Sequence, residues 1–467
     1  MRIVIIGDGK VGHKIAAALS EEQYDVVMID RNEQKLTNTA NTLDVLCLFG
    51  DGADAEVLNR ADVRHADLVI ACTSSDELNM LSCLLAKRLG ANYTIARVRN
   101  PIYYEQIDLL KEDLHLSMAV NPELETANEI MRVLSFSAAT KVESFVKGRV
   151  ELIEFPLKKG TPLDGLILKE LYRKHQVKAL ICAVSRGSNV FIPDGEFVLQ
   201  AGDKLNVVAS HLELERFFRA IGQKSMPVRN VLIIGGGHIS YYLAKELLKL
   251  RMRVKIIDED YQRCEVLCEA LPEATIINGS ARDHELLIEE GIREADVLVS
   301  LVGNDELNML TALYAYKQGV KKIIAKVNEE DMTDMVDAMG IDSVVSPKSV
   351  TADRILSYVR ARQNSFCSAN VETMYHLVNG QIEALEFFIG TDAKYIHIPL
   401  RDLPIKSNHL VAAIVRGRDV IIPNGNDVIK AGDSVVIVTK NKKIQRMEDI
   451  FTDTGLLRTG RNGKEAK

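Results

Sequence analysis

Arg2-Ile-Val-Ile-Ile-Gly-Asp-Gly-Lys-Val-Gly12 reads as a short apolar strand, a glycine-rich turn and the first turn of a helix, and Asn230-Val-Leu-Ile-Ile-Gly-Gly-Gly-His-Ile-Ser240 repeats the pattern. The repeat extends well beyond the turn. Asp76-Glu-Leu-Asn-Met-Leu81 recurs unchanged as Asp305-Glu-Leu-Asn-Met-Leu310, Ile192-Pro-Asp-Gly195 as Ile422-Pro-Asn-Gly425, and Ala201-Gly-Asp203 as Ala431-Gly-Asp433. The offset stays between 228 and 230 residues throughout, so the chain carries an internal duplication.

Each copy has two parts. The first alternates short apolar strands with helical stretches: Ile3–Ile6, Val26–Ile29, Val45–Leu48, Leu68–Ala71, Thr94–Val98 and Leu116–Val120 in copy one. In copy two they are Val231–Ile234, Val254–Ile257, Thr275–Ile277, Val297–Leu301, Ile323–Val327 and Ser343–Val345. Strands apolar on both faces, separated by helices, predict a parallel doubly wound sheet. Asn121-Pro122 and Ser346-Pro347 break this pattern, and the stretches Glu125–Ser135 and Ala352–Arg362 read as connecting helices. The second part is smaller and rich in strand: Val150–Phe155, Leu180–Val184, Val190–Ile192 and Leu205–Val208, matched by Ile382–Phe388, Leu410–Val415, Val420–Ile422 and Val435–Val438. The fold class expected is α/β: a duplicated Rossmann-like parallel sheet, each copy followed by a small β-rich α+β domain. The boundaries expected are 1–122, 140–224, 228–348 and 366–452, in the order A-B-A-B, with Met226-Pro227 at the join and a disordered tail over 453–467.

The first glycine loop stands in the context that gives such a motif meaning. Gly7 permits the tight turn, Gly9 lets backbone amides approach a pyrophosphate, and Gly12 lets the helix pack closely on the sheet. The helix N-terminus, from Asp8 through Lys10 and Val11, offers unpaired N–H groups and a positive dipole end. Asp30 lies at the end of the second strand, where a carboxylate accepts from ribose hydroxyls and repels a 2′-phosphate, which favours NAD over NADP. Copy two offers Gly235, Gly236, Gly237, His238 and Ile239, then Ser240 in place of the third glycine, and retains the acid as Asp258. A bare strand-turn-helix corner is the competing reading, and Ser240 strengthens it for the second copy.

Other candidates lie at the carboxyl ends of the strands. Thr73 and Ser74 follow the fourth strand, although Ser74-Ser-Asp-Glu77 equally has the spacing of a helix capping box. Arg97 ends the fifth strand and Lys326 takes the matching place; a cation there suits phosphate or ribose, or is an ordinary surface charge. Gly50-Asp51 and Gly279-Ser280 follow the third strand and close the ribose side of the cleft.

Composition narrows the field. The 467 residues suggest about two to four domains. Apolar residues make up 47% and charged residues 26%, which excludes disordered and collagen-like classes. The net charge of −7 argues against nucleic acid as a partner. No apolar run approaches the roughly 18 residues of a membrane span, the first strand begins without a signal-peptide pattern, and seven scattered cysteines suit a reducing cytoplasm. Cys264 and Cys268 stand at helical spacing with no histidine beside them, and read as buried core residues rather than metal ligands. His13, His65 and His115 do not recur in copy two, so the repeated features hold a nucleotide but supply no duplicated proton donor. An NAD-dependent oxidoreductase is the alternative. A third possibility makes the strand-rich domains receptors for a ligand of their own.

The glycine loop 7–12, Asp30, Gly50-Asp51, Asp76-Glu-Leu-Asn-Met80 and the paired Ile-Pro-Asp/Asn-Gly and Ala-Gly-Asp motifs together resemble the RCK (KTN plus RCK-C) regulators of potassium transport. The resemblance covers the chain to about Ile450. It departs from the family at Ser240, and at Asp194 and Asn424, where glycine is frequent. It implies RCK-C identity for the two strand-rich domains, binding of NAD+ or NADH, and of ATP or ADP in some members. It implies no enzymatic activity and a homo-oligomeric ring, a tetramer or a dimer as the smaller unit. It places that ring on the cytoplasmic, inner face of the cell membrane, peripheral to an integral-membrane potassium-translocating subunit of the TrkH/TrkG type. The connecting helices after Pro122 and Pro347 resemble the crossover helices that join neighbouring Rossmann domains.

Overall fold

The computed structural model describes all residues except 137–138, 223–227, 329–340, 342, 367–370, 379–380, 441–443, 445 and 453–467. The expected tail over 453–467 and the join at 226–227 lie outside the described residues. In copy one, β1 (Arg2–Ile6), β2 (Asp25–Asp30), β3 (Leu46–Phe49), β4 (Leu68–Ala71), β5 (Tyr93–Arg97) and β6 (Met118–Val120) form a parallel sheet in the order β3-β2-β1-β4-β5-β6. Next come β7 (Lys141–Phe145), β8 (Val150–Pro156), β9 (Leu180–Arg186), β10 (Asn189–Phe191) and β11 (Lys204–Ala209), antiparallel in the order β10-β9-β11-β8-β7.

Copy two repeats both sheets. Its strands β12 (Asn230–Ile234), β13 (Arg253–Asp258), β14 (Thr275–Asn278), β15 (Val297–Ser300), β16 (Lys322–Lys326) and β17 (Ser343–Val345) are parallel in the equivalent order. Its second sheet joins β18 (Val371–Leu377), β19 (Ile382–Phe388), β20 (His409–Arg416), β21 (Asp419–Ile421) and β22 (Ser434–Thr439) in the order β18-β19-β22-β20-β21. The α/β duplication expected from the sequence is present. β7 and β18, whose alternating polar residues hid them among the apolar runs, complete each antiparallel sheet.

In space, like parts pack with like. One compact unit comprises Met1–Met131 with Val228–Val359, and the other Arg132–Pro227 with Arg360–Lys467. In the first unit, the helix Pro347–Phe366 of copy two buries Ala352, Ile355, Leu356 and Val359 in a core with Ile3, Ile15, Leu19 and Ile70 of copy one. Each large aliphatic side chain so buried contributes on the order of 1.5–3 kcal/mol. Lys14 Nζ donates to Ser349 Oγ at 2.9 Å, and the buried Asn121 Nδ2 donates to the Tyr242 hydroxyl at 3.0 Å. Each copy thus grips the start of the other's connecting helix. Those helices begin earlier than expected: Pro122 and Pro347 open them instead of interrupting the chain. Proline suits a first helical position, where its missing N–H would have no acceptor.

In the second unit, Phe145, Leu152 and Cys182 share a core with Leu377, Ile382 and Val436. Here the Ala-Gly-Asp motif has a structural task. Asp203 is fully buried, takes Arg186 at 2.7 and 2.9 Å, and accepts from Gln200 N–H; Asp433 does the same with Arg416 and Lys430 N–H. Gly202 and Gly432 turn at positive φ. Asp194 and Asn424 each accept from the backbone two residues on, which makes them local turn formers.

Candidate functional site

In each Rossmann half, β1 and β12 end at the point where the strand order reverses, which opens a crevice beyond their carboxyl ends. Gly7 and Gly235 leave these strands at φ of +107° and +98°. A Cβ at Gly7 would lie 2.9 Å from Thr73 N. The next helices, Lys10–Glu21 and His238–Lys249, start at Gly9 and Gly237 without a side-chain cap. The helices after β2, β3 and β4 are all capped, by Asn32, Asp54 and Ser75, and those after β13, β14 and β15 by Asp260, Asp283 and Asn304. Of these described helices, the first of each half alone leaves its N-terminal amides without a side-chain cap. A Cβ built on Gly9 or Gly237 meets nothing within 4 Å, so both loops are open where a phosphate would approach. The residues present therefore fit a nucleotide phosphate.

Asp30 and Asp258 clamp their loops. Asp30 accepts from Asp8 N–H at 2.6 Å and Asn32 N–H at 2.7 Å; Asp258 accepts from Gly236 N–H at 2.5 Å and Asp260 N–H at 2.9 Å. The Asp30 carboxylate retains lone pairs for a ribose hydroxyl. Asp258 also carries Arg263 at 3.1 Å, a neighbour that Asp30 lacks. Beside Asp30, Arg31 pairs with Asp51, whose carboxyl is held below its usual range by the Ala53 amide and by that arginine.

Several candidates occupy places other than those expected. The Asp8 carboxylate does not face the crevice: it is buried behind the loop, accepting from Thr39 Oγ1 at 2.6 Å with His13 Nδ1 at 3.4 Å. Gly236 stands at that position in copy two because a Cβ there would lie 2.7 Å from Leu267. Val11 and Ile239 are buried, while Lys10 and His238 are exposed at the helix mouth. Ser74 is exposed and does not cap; Ser75 does, accepting from Leu78 N–H at 3.2 Å. Cys264 is buried, but Cys268 is exposed rather than part of the core. Among the described residues no cluster of metal-ligating side chains occurs.

Ser240 resolves differently from its reading as a defect. A Cβ at Gly12 would sit 1.9 Å from the Gly7 carbonyl oxygen, so this position governs helix-to-loop packing. In copy two the corresponding oxygen, on Gly235, accepts from the Ser240 hydroxyl. The serine supplies a hydrogen bond where the glycine supplies clearance, and both are buried.

The repeated Asp-Glu-Leu-Asn segment builds the crevice wall. Asn79, fully buried, accepts from Thr73 N–H at 2.8 Å and Thr73 Oγ1 at 2.7 Å, and donates to the Arg97 carbonyl at 2.9 Å. Asn308 accepts from Val302 N–H and Ser300 Oγ, both at 2.9 Å, and donates to the Lys326 carbonyl at 2.9 Å. Asp76 accepts from Arg99 and Asn100 N–H, and Asp305 from Asn328 N–H. These scaffolding roles escaped the sequence reading, although unchanged recurrence was the signal that could have found them. The Thr73 hydroxyl is consequently committed to Asn79.

Arg97 and Lys326 are half-buried cations. Arg97 bonds the Thr73 carbonyl at 3.2 Å and Lys326 the Leu301 carbonyl at 3.3 Å; among the described residues neither has a carboxylate within ion-pair distance. Burial lowers the pKa of both. A desolvated cation without a close partner at a crevice gains from an anion there. Around the second loop the crevice is a cleft of about 990 Å³, bounded by Gly235–Gly237, Asp258, Gly279 and Lys326, and also by Arg99 of copy one.

Comparison with known proteins places this geometry. The TrkA-N domain family matches residues 3–122 and 231–347, and the TrkA-C domain family matches 152–222 and 384–452. The chain is 33% identical over 459 residues to "Trk system potassium uptake protein TrkA homolog 1" of Methanosarcina mazei, covering 97% of this chain and 100% of that one. It is 32% identical over 452 residues to "Trk system potassium uptake protein TrkA homolog" of Archaeoglobus fulgidus, with the same coverage. Among solved structures, "GsuK channel bound to NAD" is similar in fold, with a TM-score of 0.61 at 20% identity, over 98% of this chain and 79% of that one.

Proposed function

The chain belongs to the TrkA family, and we propose from this premise that it is a regulatory subunit that binds NAD(H) or an adenine nucleotide and gates a membrane potassium-uptake channel. The observation that carries the reading is the duplicated crevice: an uncapped helix, a loop open at its second glycine, a clamping acid and a half-buried cation, present in both halves. These groups hold a charged ligand, and their differential affinity for two arrangements of the subunit is what would bias a pore. The residues assigned to binding are the loops 7–12 and 235–239 with Asp30, Asp51, Arg97, Asp258 and Lys326. Thr73 shapes the wall, and Ser74 is not assigned. The four domains are 1–122, 140–224, 228–348 and 366–452.

The relatives are named for potassium uptake and the similar channel is bound to NAD. Among the described residues no helix is long and apolar enough to cross a membrane. In this reading the partner is an integral-membrane potassium-translocating subunit of the TrkH/TrkG type. The chain docks on it from the cytoplasmic face as a homo-oligomer, a tetramer by the family's pattern of two Rossmann halves per chain. Nucleotide is bound and released, not consumed. Equilibrium dialysis with NADH tests this: saturable binding at two sites per chain with NADH recovered intact is expected. Oxidised NADH would return the oxidoreductase reading to first place.

A further inference from the structure

We propose that Arg99, a residue of copy one, completes the nucleotide site of copy two, where its guanidinium takes a phosphate group of the ligand held on the Gly235–Gly237 loop. The inference rests on nucleotide binding at these clefts and adds which phosphate-binding group comes from the other half of the chain.

Arg99 lies two residues beyond the end of β5, on a segment held by its own half, with the Arg99 amide donating to Asp76 at 2.8 Å. Its side chain stays paired with Glu123 of the same copy but borders the other half. With the neighbouring 100–102 it lines the cleft that also contains the second glycine loop and Lys326. The charge of Arg99 acts on the Lys326 ammonium, so two cations of different origin share this cleft.

The guanidinium is only partly used. Nε donates to Glu123 Oε1 at 2.7 Å, and the two terminal nitrogens make no hydrogen bond among the described residues. An arginine fork with both terminal donors unspent, beside a lysine with only one carbonyl contact, matches a phosphate better than any neutral group. The buried Asp305 nearest that lysine is occupied with Asn328. Glu123 is itself buried, its Oε2 has no hydrogen-bond partner among the described residues, and it stands in the first turn of the helix Pro122–Ser135. Glu123 thus holds the arginine through Nε and leaves the terminal nitrogens to a phosphate.

The arginine itself is not repeated. The residue matching Arg99 in copy two is Asn328, which is neutral and whose amide bonds Asp305 at 2.8 Å. The position that carries a guanidinium in copy one is thus uncharged in copy two.

The test uses the full chain with one cleft closed at a time. Gly9→Glu and Gly237→Glu add a carboxylate at each loop, at positions where a Cβ meets nothing within 4 Å. In the Gly9→Glu chain, where the second cleft remains, Arg99→Gln should weaken ADP binding about tenfold or more and leave adenosine binding unchanged. In the Gly237→Glu chain the same substitution should leave ADP binding unchanged. Equal loss in both chains, or no loss in the first, overturns the assignment. Absence of any ADP or NADH binding to the unsubstituted chain would instead defeat the nucleotide reading itself.

Discussion

The carboxamide of Asn79 donates to the carbonyl of Arg97 at 2.9 Å while its oxygen accepts from the amide and the hydroxyl of Thr73, so one buried side chain ties the end of β4 to the end of β5. Asn308 does the same between Val302 and Lys326. The half-buried cations at the two crevices thus stand on a wall fixed by a single residue type. That requirement accounts for the unchanged recurrence of the Asp-Glu-Leu-Asn segment.

Asn79→Leu, close in volume but unable to hydrogen bond, leaves the Thr73 amide and the Arg97 carbonyl without their partner. The expected cost is about 2–4 kcal/mol, read as a lowered urea midpoint for the unit that contains it. An unchanged midpoint would mean that water replaces the asparagine and that the wall does not depend on it.

The third position of each glycine loop gives opposite expectations in the two copies. Gly12→Ala drives a methyl against the Gly7 carbonyl and should cost about 2–3 kcal/mol, with nucleotide binding lost at the first cleft. Ser240→Ala removes one buried hydrogen bond and should cost about 1 kcal/mol, with binding at the second cleft retained. Thermal unfolding together with a count of NADH sites separates the cases. If Ser240→Ala proves the more damaging of the two, the packing account of this position is wrong.

A third expectation concerns pH and the strand-rich unit. Glu386 is buried and accepts from Val146 N–H at 3.0 Å; burial, with Glu372 beside it, raises its pKa from 4.5 to about 6. Between those values the folded state holds a proton that the unfolded state has released, so this carboxyl makes stability fall as pH rises from about 4.5 to about 6. Above pH 6 the full cost of a buried charge is present. Glu386→Gln, whose amide oxygen can still accept from Val146, should be more stable than the parent at pH 7. Its advantage should shrink as pH is lowered toward 4.5 in urea unfolding of the two proteins. An advantage that stays constant over this range would remove Glu386 as the cause.

The fold and the outline of the crevice were legible because they rest on local signals. Apolar runs flanked by turns mark buried parallel strands, and Gly7, Gly9 and Asp30 carry their spacing in the chain itself. What stayed hidden depends on contacts between distant segments. β7 and β18 carry Lys141, Glu143 and Glu372 among their apolar residues and become recognisable only when paired with β8 and β19. The packing of Ala352 and Ile355 into the sheet of the other copy, and the reach of Arg99 into the second cleft, have no local signature. Asp8 misled because the backbone at that position belongs to the loop while its side chain belongs to the core.

The central claim is that nucleotide held in these two crevices sets the opening of a potassium pore, and rubidium flux through the reconstituted membrane subunit tests it most directly. With the full chain added, flux should change on titration with NADH or ADP, and the Gly9→Glu, Gly237→Glu double variant should dock but abolish that response. A nucleotide response that survives the double variant, or flux indifferent to nucleotide with the unsubstituted chain bound, would contradict the account.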